Sequence, residues 1–389
     1  MSGDAQNLLI SGGGTGGHVF PAIAVAHEWL CRGNRADAKG ERTVVIVGTN
    51  QGLEAKLVPQ AGLPLELIRV AGLKGIGGRR FWRNAALLPA GLWDSERILE
   101  RHRFHVAFGV GGYASGPMML LAAMHQVPAV VFEPNVEPGF TNRVLAHMAT
   151  RVAVAHSETA ARLGGKAVVT GCPVRKEFFS VQPRTERRPF QVLITGGSRG
   201  ARPINQAVMD SLEILAARKS QLFIVHQTGE RDYNAVRAAY AEYEFPAEVL
   251  PFIENMAERF AQADLIVCRS GAITVAEVSA AGRAAIFIPF GASTDAHQTR
   301  NAQAMENAGA ARLLPQDELG PGRLTAEIFS LLDQPQRLAE METRARRLAR
   351  PRAVEDIVDL LETAAFSSRS VVAGRQDSRS GGGKQGAGA

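Results

Sequence analysis

Three stretches of the chain combine glycine with residues able to hold an anion or move a proton. They are Gly12-Gly13-Gly14-Thr15-Gly16-Gly17-His18, Gly196-Gly197-Ser198-Arg199-Gly200-Ala201 and Arg269-Ser270-Gly271-Ala272-Ile273-Thr274-Val275-Ala276-Glu277. Each follows a short apolar run and opens a helix-like segment. Backbone N–H groups at a helix start, left uncovered by glycine, suit phosphate or diphosphate oxygens. In the third stretch the N–H groups of Ala272, Ile273 and Thr274 have no partner within the helix. Glu277, one turn further on, offers two acceptor oxygens of the kind a ribose diol needs. Imidazole ordinarily titrates near neutrality, so His18 beside the first loop is of a type able to move a proton or meet an anion. A further stretch, Gly109-Val110-Gly111-Gly112-Tyr113-Ala114-Ser115-Gly116-Pro117, also separates an apolar run from a helix-like segment. Pro21 suits the first turn of a helix.

The first loop contains G-x-G-x-x-G at Gly12, Gly14 and Gly17, the spacing of dinucleotide-binding turns. That reading requires an acid at the tip of the second strand to grip a ribose. Here the second apolar run ends Val47-Gly48-Thr49-Asn50, with no acid at its tip, which argues against a nicotinamide oxidoreductase. The phosphate chemistry of the loop survives that exclusion.

These loops need strands behind them. Leu9-Ile10-Ser11-Gly12-Gly13 is echoed at an offset of 184 by Leu193-Ile194-Thr195-Gly196-Gly197. Apolar runs then alternate with amphipathic stretches: Val44–Val47, Val106–Val110, Ala129–Phe132, Val152–Ala155 and Ala167–Thr170, then Leu222–Val225, Leu265–Cys268 and Ala285–Ile288. Continuous apolar strands alternating with helices predict α/β architecture with parallel sheets covered on both faces. The repeat predicts two such domains, residues 1–180 and 190–350, with the polar, Arg-rich stretch 180–189 as linker. Residues 351–366 read as a C-terminal helix returning to the first domain. The Ser-, Gly- and Arg-rich segment 367–389 reads as disordered.

Composition fits a folded chain of 389 residues with 46% hydrophobic and 21% charged residues and 40 glycines. Cys31, Cys172 and Cys268 form neither a disulfide framework nor a metal motif, which fits a reducing cytosol. No basic-then-apolar leader and no run long enough to cross a bilayer is seen. The formal charge of +6 is local: residues 69–103 carry eight basic and three acidic residues, and 367–389 four and one. A uniformly basic nucleic-acid binder is thereby excluded. Segment 69–103 mixes its cations with Trp82, Trp93, Phe81, Leu87, Leu88 and Leu92, the composition of an element lying on an anionic membrane surface. A solvated helix with Leu88, Leu92 and Leu99 facing the core is the alternative.

Taken together the motifs are specific. The chain resembles the bacterial UDP-N-acetylglucosamine:undecaprenyl-diphospho-muramoylpentapeptide N-acetylglucosaminyltransferases. The resemblance runs through GGTGGHVFPAIAVA from Gly13, GGYASGP from Gly111, PVRKEF from Pro173, GGSRGARPINQ from Gly196, HQTGE from His226, CRSGAITVAEVSAAG from Cys268 and DAHQTRNA from Asp295. It implies two Rossmann-like domains with parallel sheets facing a central cleft (GT-B type), the lipid acceptor in the first and UDP-GlcNAc mainly in the second. It also implies transfer of GlcNAc to undecaprenyl-diphospho-MurNAc-pentapeptide with inversion, forming a β-1,4 bond, without cofactor or catalytic metal. The place implied is the cytoplasmic face of the cell membrane, as a peripheral protein in contact with anionic lipid and with cell-wall synthesis proteins.

By position, the resemblance implies that Ile253 meets the uracil through its backbone, Glu277 the ribose, and Ala272, Ile273, Thr274, Val275 and Ala276 the diphosphate, with Ser198 assisting. Gln298 and Asn301 would contact the sugar hydroxyls, and from the first domain Thr15, Gly16, Gly17, Asn135 and Arg175 would complete the cleft. His18 is the implied catalytic base or phosphate ligand, with Asp295 and Glu254 as alternative bases. His27, His102, His125 and His147 have no motif around them and read as surface or packing residues. Two departures stand out. Phe132-Glu133-Pro134-Asn135 replaces the family's His-Glu-Gln-Asn, removing polar partners from a hydrogen-bond network in the first domain. Cys172 replaces an Asn before Pro173. A same-fold transferase acting on another sugar nucleotide or glycolipid acceptor is the alternative function, and a non-enzymatic membrane-surface scaffold would leave the phosphate loops unused.

Overall fold

In a computed structural model, residues 6–34, 40–72, 78–291 and 296–380 are described, with only the backbone at 80, 81 and 367–380. The chain forms two compact units: residues 1–133, 138–170 and 352–389, and residues 134–137 and 171–351.

In the first unit, seven parallel strands are β1 (Gln6–Gly12), β2 (Arg42–Gly48), β3 (Leu65–Leu67), β4 (Val106–Gly111), β5 (Ala129–Glu133), β6 (Arg151–Val154) and β7 (Ala167–Val169). Their order is β3-β2-β1-β4-β5-β6-β7. The second unit carries β8 (Phe190–Thr195), β9 (Leu222–Gln227), β10 (Ala247–Leu250), β11 (Leu265–Cys268), β12 (Ala284–Phe287) and β13 (Ala311–Leu313), ordered β10-β9-β8-β11-β12-β13. All the pairings are parallel. Each predicted apolar run is a strand, the central ones because their residues are buried on both faces: Leu8, Leu9 and Ile10, or Leu265, Ile266 and Val267, are wholly buried, whereas the edge run Ala167–Val169 is partly exposed.

This order places the glycine loops. In each sheet the strand order reverses between two central strands, β1 and β4 in one, β8 and β11 in the other. Loops leaving the C-terminal ends of such neighbours diverge to opposite faces and leave a crevice where ligands of doubly wound folds bind. The four glycine-rich stretches are those loops.

The boundary falls at Thr170/Gly171 rather than within 180–189, so Arg175, and with it Asn135 in the 134–137 segment, belongs to the second unit and not to the first as expected. Val174, Phe178 and Val181 are buried in the second unit's core, and Arg187 is paired with Asp264 (3.2 Å) and Glu342 (2.7 Å), so the Arg-rich stretch is fastened instead of linking. The helix Ala353–Ser380 groups with the first unit. Arg32 reaches Asp359 (2.6 Å) and the Glu355 carbonyl (3.1 Å) on it, and Arg42 reaches Glu362 (2.8 Å). Its backbone stays helical past Phe366 to Ser380, where composition alone predicted disorder. Extending a helix already anchored by Ile357, Val358 and Leu361 requires no new nucleus. Residues 381–389 lie outside the described residues. Pro21 is also placed differently, inside the helix Gly16–Gly33, which begins at the loop itself; its missing N–H leaves the Gly17 carbonyl without the usual helical donor.

Candidate active site

In the first unit, Thr15 caps the helix Gly16–Gly33 in extended conformation, so the N–H groups of Gly16 and Gly17 open the helix without a side-chain cap. Thr15 is exposed, Gly16 and Gly17 half-buried. His18 sits one residue further on. Its Nδ1 lies 3.0 Å from the Gly13 carbonyl and 3.3 Å from Thr15 Oγ1. A carbonyl only accepts, so Nδ1 carries the proton and Nε2 keeps its lone pair, close beside Gly111. Burial holds the imidazole below its ordinary range, against the Gly13 carbonyl and the charges of Glu133 and Glu54, which act to raise it. At neutral pH His18 is therefore a neutral ring with an open acceptor nitrogen, the state a general base needs.

The loop is braced by a residue absent from the sequence reading. Glu54 is buried, and its carboxylate accepts from Gly14 N (2.7 Å), Thr49 N (2.9 Å) and Thr49 Oγ1 (2.8 Å). The second strand thus has its acid after all, shifted to the first residue of the next helix and turned onto the glycine loop rather than toward a ribose. The two glycine loops touch: Gly13 N donates to Gly111 O (3.3 Å), and a Cβ on Gly112 (φ +86°) would strike the Gly13 carbonyl. Behind them Glu133 keeps a network despite Phe132 and Pro134. Its Oε2 accepts from Gly139 N and Asn142 Nδ2, both at 2.9 Å, and Asn142 Nδ2 also reaches the Phe132 carbonyl (3.0 Å).

In the second unit, helix Ala272–Ala281 follows β11 after a turn capped by Gly271, again with no side-chain cap. The space a Cβ of Gly271 would take is open. Val275 N already donates to Gly271 O (3.0 Å), and the Val275 side chain is core, so the uncommitted helix-start donors are Ala272, Ile273 and Thr274. Ala276 packs against the core behind them.

Glu277 projects from the same helix, 14% exposed, with Arg175 Nη2 3.4 Å from its Oε1. Burial pushes this carboxyl up to about 7, while Arg175 opposes the rise. Arg175 in turn lies over the Phe178 ring at 4.9 Å. Cys172 and Cys268 are buried nearby; burial and the Glu277 charge hold both thiols well above their ordinary range, so neither is a nucleophile.

The remaining predicted positions divide into exposed and tied. Ser198 is exposed at the loop tip, and that loop lies on Thr228-Gly229, where a Cβ on Gly200 would meet the Thr228 carbonyl. Ile253 is buried and its N–H is taken by Gln227 Oε1 (2.9 Å), while Gln227 Nε2 binds Gly197 O (2.8 Å) and Thr195 Oγ1 (3.2 Å). Gln227, also missed, fastens the Ser198 loop and Ile253 to one side chain. Gln298 is half-buried, with Oε1 accepting from Phe290 N (2.9 Å) and its carbonyl from Ser270 Oγ (2.9 Å). Asn301 is wholly buried: it donates to Asn135 Oδ1 (3.1 Å) and Ser270 O (3.2 Å) and accepts from Val136 N (3.0 Å). It positions the Ser270 turn and the 134–137 segment. Glu254 is exposed, and Asp295 lies outside the described residues. His226 is a core residue, pushed down to about 3 by burial, between Asn205 Oδ1 (3.1 Å) and Tyr240 OH (3.3 Å). His125 meets Glu96 (2.8 Å) and His147 the Arg143 carbonyl (2.8 Å), both at the surface. Among the described residues, no group of three or more His, Cys, Asp or Glu could hold a metal ion.

Residues 8–154 match the glycosyltransferase family 28 N-terminal domain and residues 191–357 the glycosyltransferase family 28 C-terminal domain. A relative in Myxococcus xanthus (strain DK1622), the UDP-N-acetylglucosamine–N-acetylmuramyl-(pentapeptide) pyrophosphoryl-undecaprenol N-acetylglucosamine transferase, is 42% identical over 91% of this chain and 92% of its own. The chain belongs to this transferase family. A second relative of that name, in Solibacter usitatus (strain Ellin6076), is 41% identical over 93% of this chain and 97% of its own. The crystal structure of Acinetobacter baumannii MurG superposes with a TM-score of 0.74 at 32% identity, covering 92% of this chain and 99% of that one. As in that transferase, two parallel-sheet α/β domains make up the chain, the GT-B type of fold.

Proposed function

We infer that this chain transfers N-acetylglucosamine from UDP-N-acetylglucosamine to an undecaprenyl-diphospho-muramyl-pentapeptide acceptor, the activity carried in its relatives' names. The observation that carries the reading at the site is the helix start at Ala272–Thr274 with Glu277 behind it. Three open N–H donors at the positive end of a ten-residue helix suit a diphosphate. A buried carboxyl with Arg175 beside it, two acceptor oxygens once ionised, suits the two hydroxyls of a ribose.

In the transfer, the acceptor 4-hydroxyl oxygen bonds to the anomeric carbon of GlcNAc as the bond to UDP breaks, inverting that centre. The hydroxyl proton passes to His18 Nε2, whose Nδ1–H stays on the Gly13 carbonyl. Negative charge growing on the departing diphosphate meets the N–H groups of Ala272, Ile273 and Thr274. Donors fixed in advance stabilise that charge without reorganising, the oxyanion-hole principle. Incubation with UDP-GlcNAc, UDP-glucose and a short-chain lipid-diphosphate acceptor tests the reading. UDP release from UDP-GlcNAc only when the acceptor is supplied supports it; equal turnover of UDP-glucose, or none of UDP-GlcNAc, refutes it.

The first unit is also the part that meets the membrane surface. Trp82 (73%), Trp93 (60%), Met124 (69%) and Phe140 (66%) are exposed, with Val144 and Met148 following Phe140 at one-turn spacing. Arg79, Arg83 and Arg143 are exposed among them. Among the described residues no helix is long and apolar enough to cross a membrane. Aromatic and Met side chains beside arginines suit reversible attachment to an anionic leaflet, about 1 kcal/mol per basic residue.

A further inference from the structure

We propose that Glu54 is a positioning residue for proton transfer at His18, acting through the single peptide group that joins Gly13 to Gly14. The proposal rests on the reading of His18 as the base. The Gly13 carbonyl and the Gly14 N–H belong to one planar trans unit and point in opposite directions. Glu54 Oε2 holds the N–H end at 2.7 Å, and His18 Nδ1 holds the carbonyl end at 3.0 Å. Fixing one end of a rigid plane fixes the other, so the carboxylate aims the carbonyl that orients the imidazole.

The socket around Glu54 is shaped for one carboxylate. A Cβ on Gly13, Gly48 or Gly52 would land on its side chain, so three glycines keep room for one carboxylate. Its remaining oxygen is consumed by Thr49, at 2.9 Å from the amide and 2.8 Å from the hydroxyl. It has therefore no oxygen directed at a ligand, and it takes one N–H that an anion-cradling loop would otherwise offer. A buried negative charge behind the loop also works against phosphate binding there, while it favours a positive charge on His18. The other charge bearing on the ring is Glu133, and Thr15 Oγ1 is its remaining polar neighbour.

When the acceptor hydroxyl gives its proton to Nε2, the ring becomes an imidazolium that still donates Nδ1–H to the Gly13 carbonyl. A carboxylate on the far end of that peptide polarises it and strengthens the carbonyl as an acceptor. No electron pair or proton moves to Glu54. Its part resembles that of a carboxylate hydrogen-bonded to a catalytic histidine, with a peptide group inserted between the two.

The test compares wild type with Glu54→Gln, whose amide can still accept from Thr49 but lacks the charge and places an NH2 or a neutral oxygen toward Gly14. The 1H–13C NMR titration of the His18 Cε1–H signal reads positioning without turnover. Its midpoint is expected to fall by about half a pH unit or more. With UDP-GlcNAc and the short-chain acceptor, kcat is expected to fall about tenfold or more with donor KM within about twofold, because the donor groups lie in the other unit. Gly52→Ala, which pushes on Glu54 from outside the loop, should produce the same changes at smaller size and serves if Glu54→Gln fails to fold. An unmoved His18 midpoint together with kcat within twofold of wild type overturns the proposal. If His18→Ala keeps full turnover, the reading of the base fails instead, whereas the NMR shift in Glu54→Gln would still report the positioning.

Discussion

The carboxyl of Glu277 is held in a state that costs the fold stability, and that cost is measurable. Its ordinary value is 4.5 and burial pushes it up to about 7 in the folded chain, against the opposing charge of Arg175. A group that binds its proton more tightly when folded favours folding only while that proton is bound. Below about pH 4.5 the carboxyl is protonated in both states and contributes nothing. As pH rises from 4.5 to 7 the unfolded chain ionises first and stability falls; above 7 the full deficit remains. The difference between 4.5 and about 7, at about 1.36 kcal/mol for each tenfold change in proton affinity, gives roughly 3 kcal/mol. Glu277→Gln removes the charge but keeps an acceptor for Arg175, whose side chain is 40% exposed and stays solvated. At pH 8 the variant should therefore unfold later than wild type by about 3 kcal/mol, on the order of 6–12 °C for a unit of this size. At pH 4 the two should coincide. Calorimetric scans at both pH values check this. The reasoning is refuted if the gain is equal at pH 4 and pH 8, or if the variant is less stable at pH 8. The same substitution should weaken UDP-GlcNAc binding about tenfold to a hundredfold by calorimetric titration, since two hydroxyls lose a charged acceptor.

Other consequences are open to direct measurement. Wild-type affinity for UDP-GlcNAc should fall as pH drops below about 7, when Glu277 takes up its proton, and Arg175→Met should move that fall to higher pH. Gln227→Ala leaves the buried Ile253 amide without its acceptor and releases the Gly197 loop, so the donor Kd should rise about tenfold to a hundredfold with acceptor KM unchanged. Replacing Trp82, Trp93 and Phe140 with Ser should reduce co-sedimentation with anionic vesicles at every salt concentration, whereas reversing Arg79 and Arg83 should reduce it most at low salt, where charge attraction is least screened. Arg32→Ala with Arg42→Ala cuts the ion pairs to Asp359 and Glu362, and should destabilise the first unit by about 1–3 kcal/mol in urea unfolding while donor binding survives.

The central strands were legible because burial on both faces leaves an unbroken apolar run, as in Val106–Val110 or Leu265–Cys268. The edges were not. Leu65–Leu67, Ala247–Leu250 and Ala311–Leu313 are three or four residues long, only partly buried and carry Glu or Arg, so no run marks them. The glycine loops were readable as uncapped helix starts because glycine before a helix leaves a local mark in sequence. Glu54 was not, because its hydrogen bonds span from Thr49 back to Gly14 and depend on β2 lying beside β1. The trace it left was Gly48 and Gly52 bracketing Thr49-Asn50-Gln51, two glycines with no turn of their own to explain both. Asn301, expected at a sugar, is wholly buried and hydrogen-bonded to the Asn135 side chain and to the Ser270 and Val136 backbone, a burial that an isolated amide in a sequence cannot show. The 180–189 stretch has a linker's composition, but Asp264 and Glu342, distant in sequence, turn its arginines into anchors.

The return of residues 352–366 to the first unit has a consequence for how the molecule is made. A ribosome delivers β1 to β7 first, but the helix that covers β4, β5 and β6 and pairs with Arg32 and Arg42 is delivered last. At the usual pace of synthesis the intervening residues 171–351 occupy roughly 10–40 s. During that interval β4, β5 and β6 lack this cover on one face while the second unit, continuous in sequence but for four residues, can close around its own core. Assembly thus runs against the direction of synthesis: the first unit is completed only after the second has been made, and a nascent chain halted before Ala353 offers chaperones the apolar strands of the first unit.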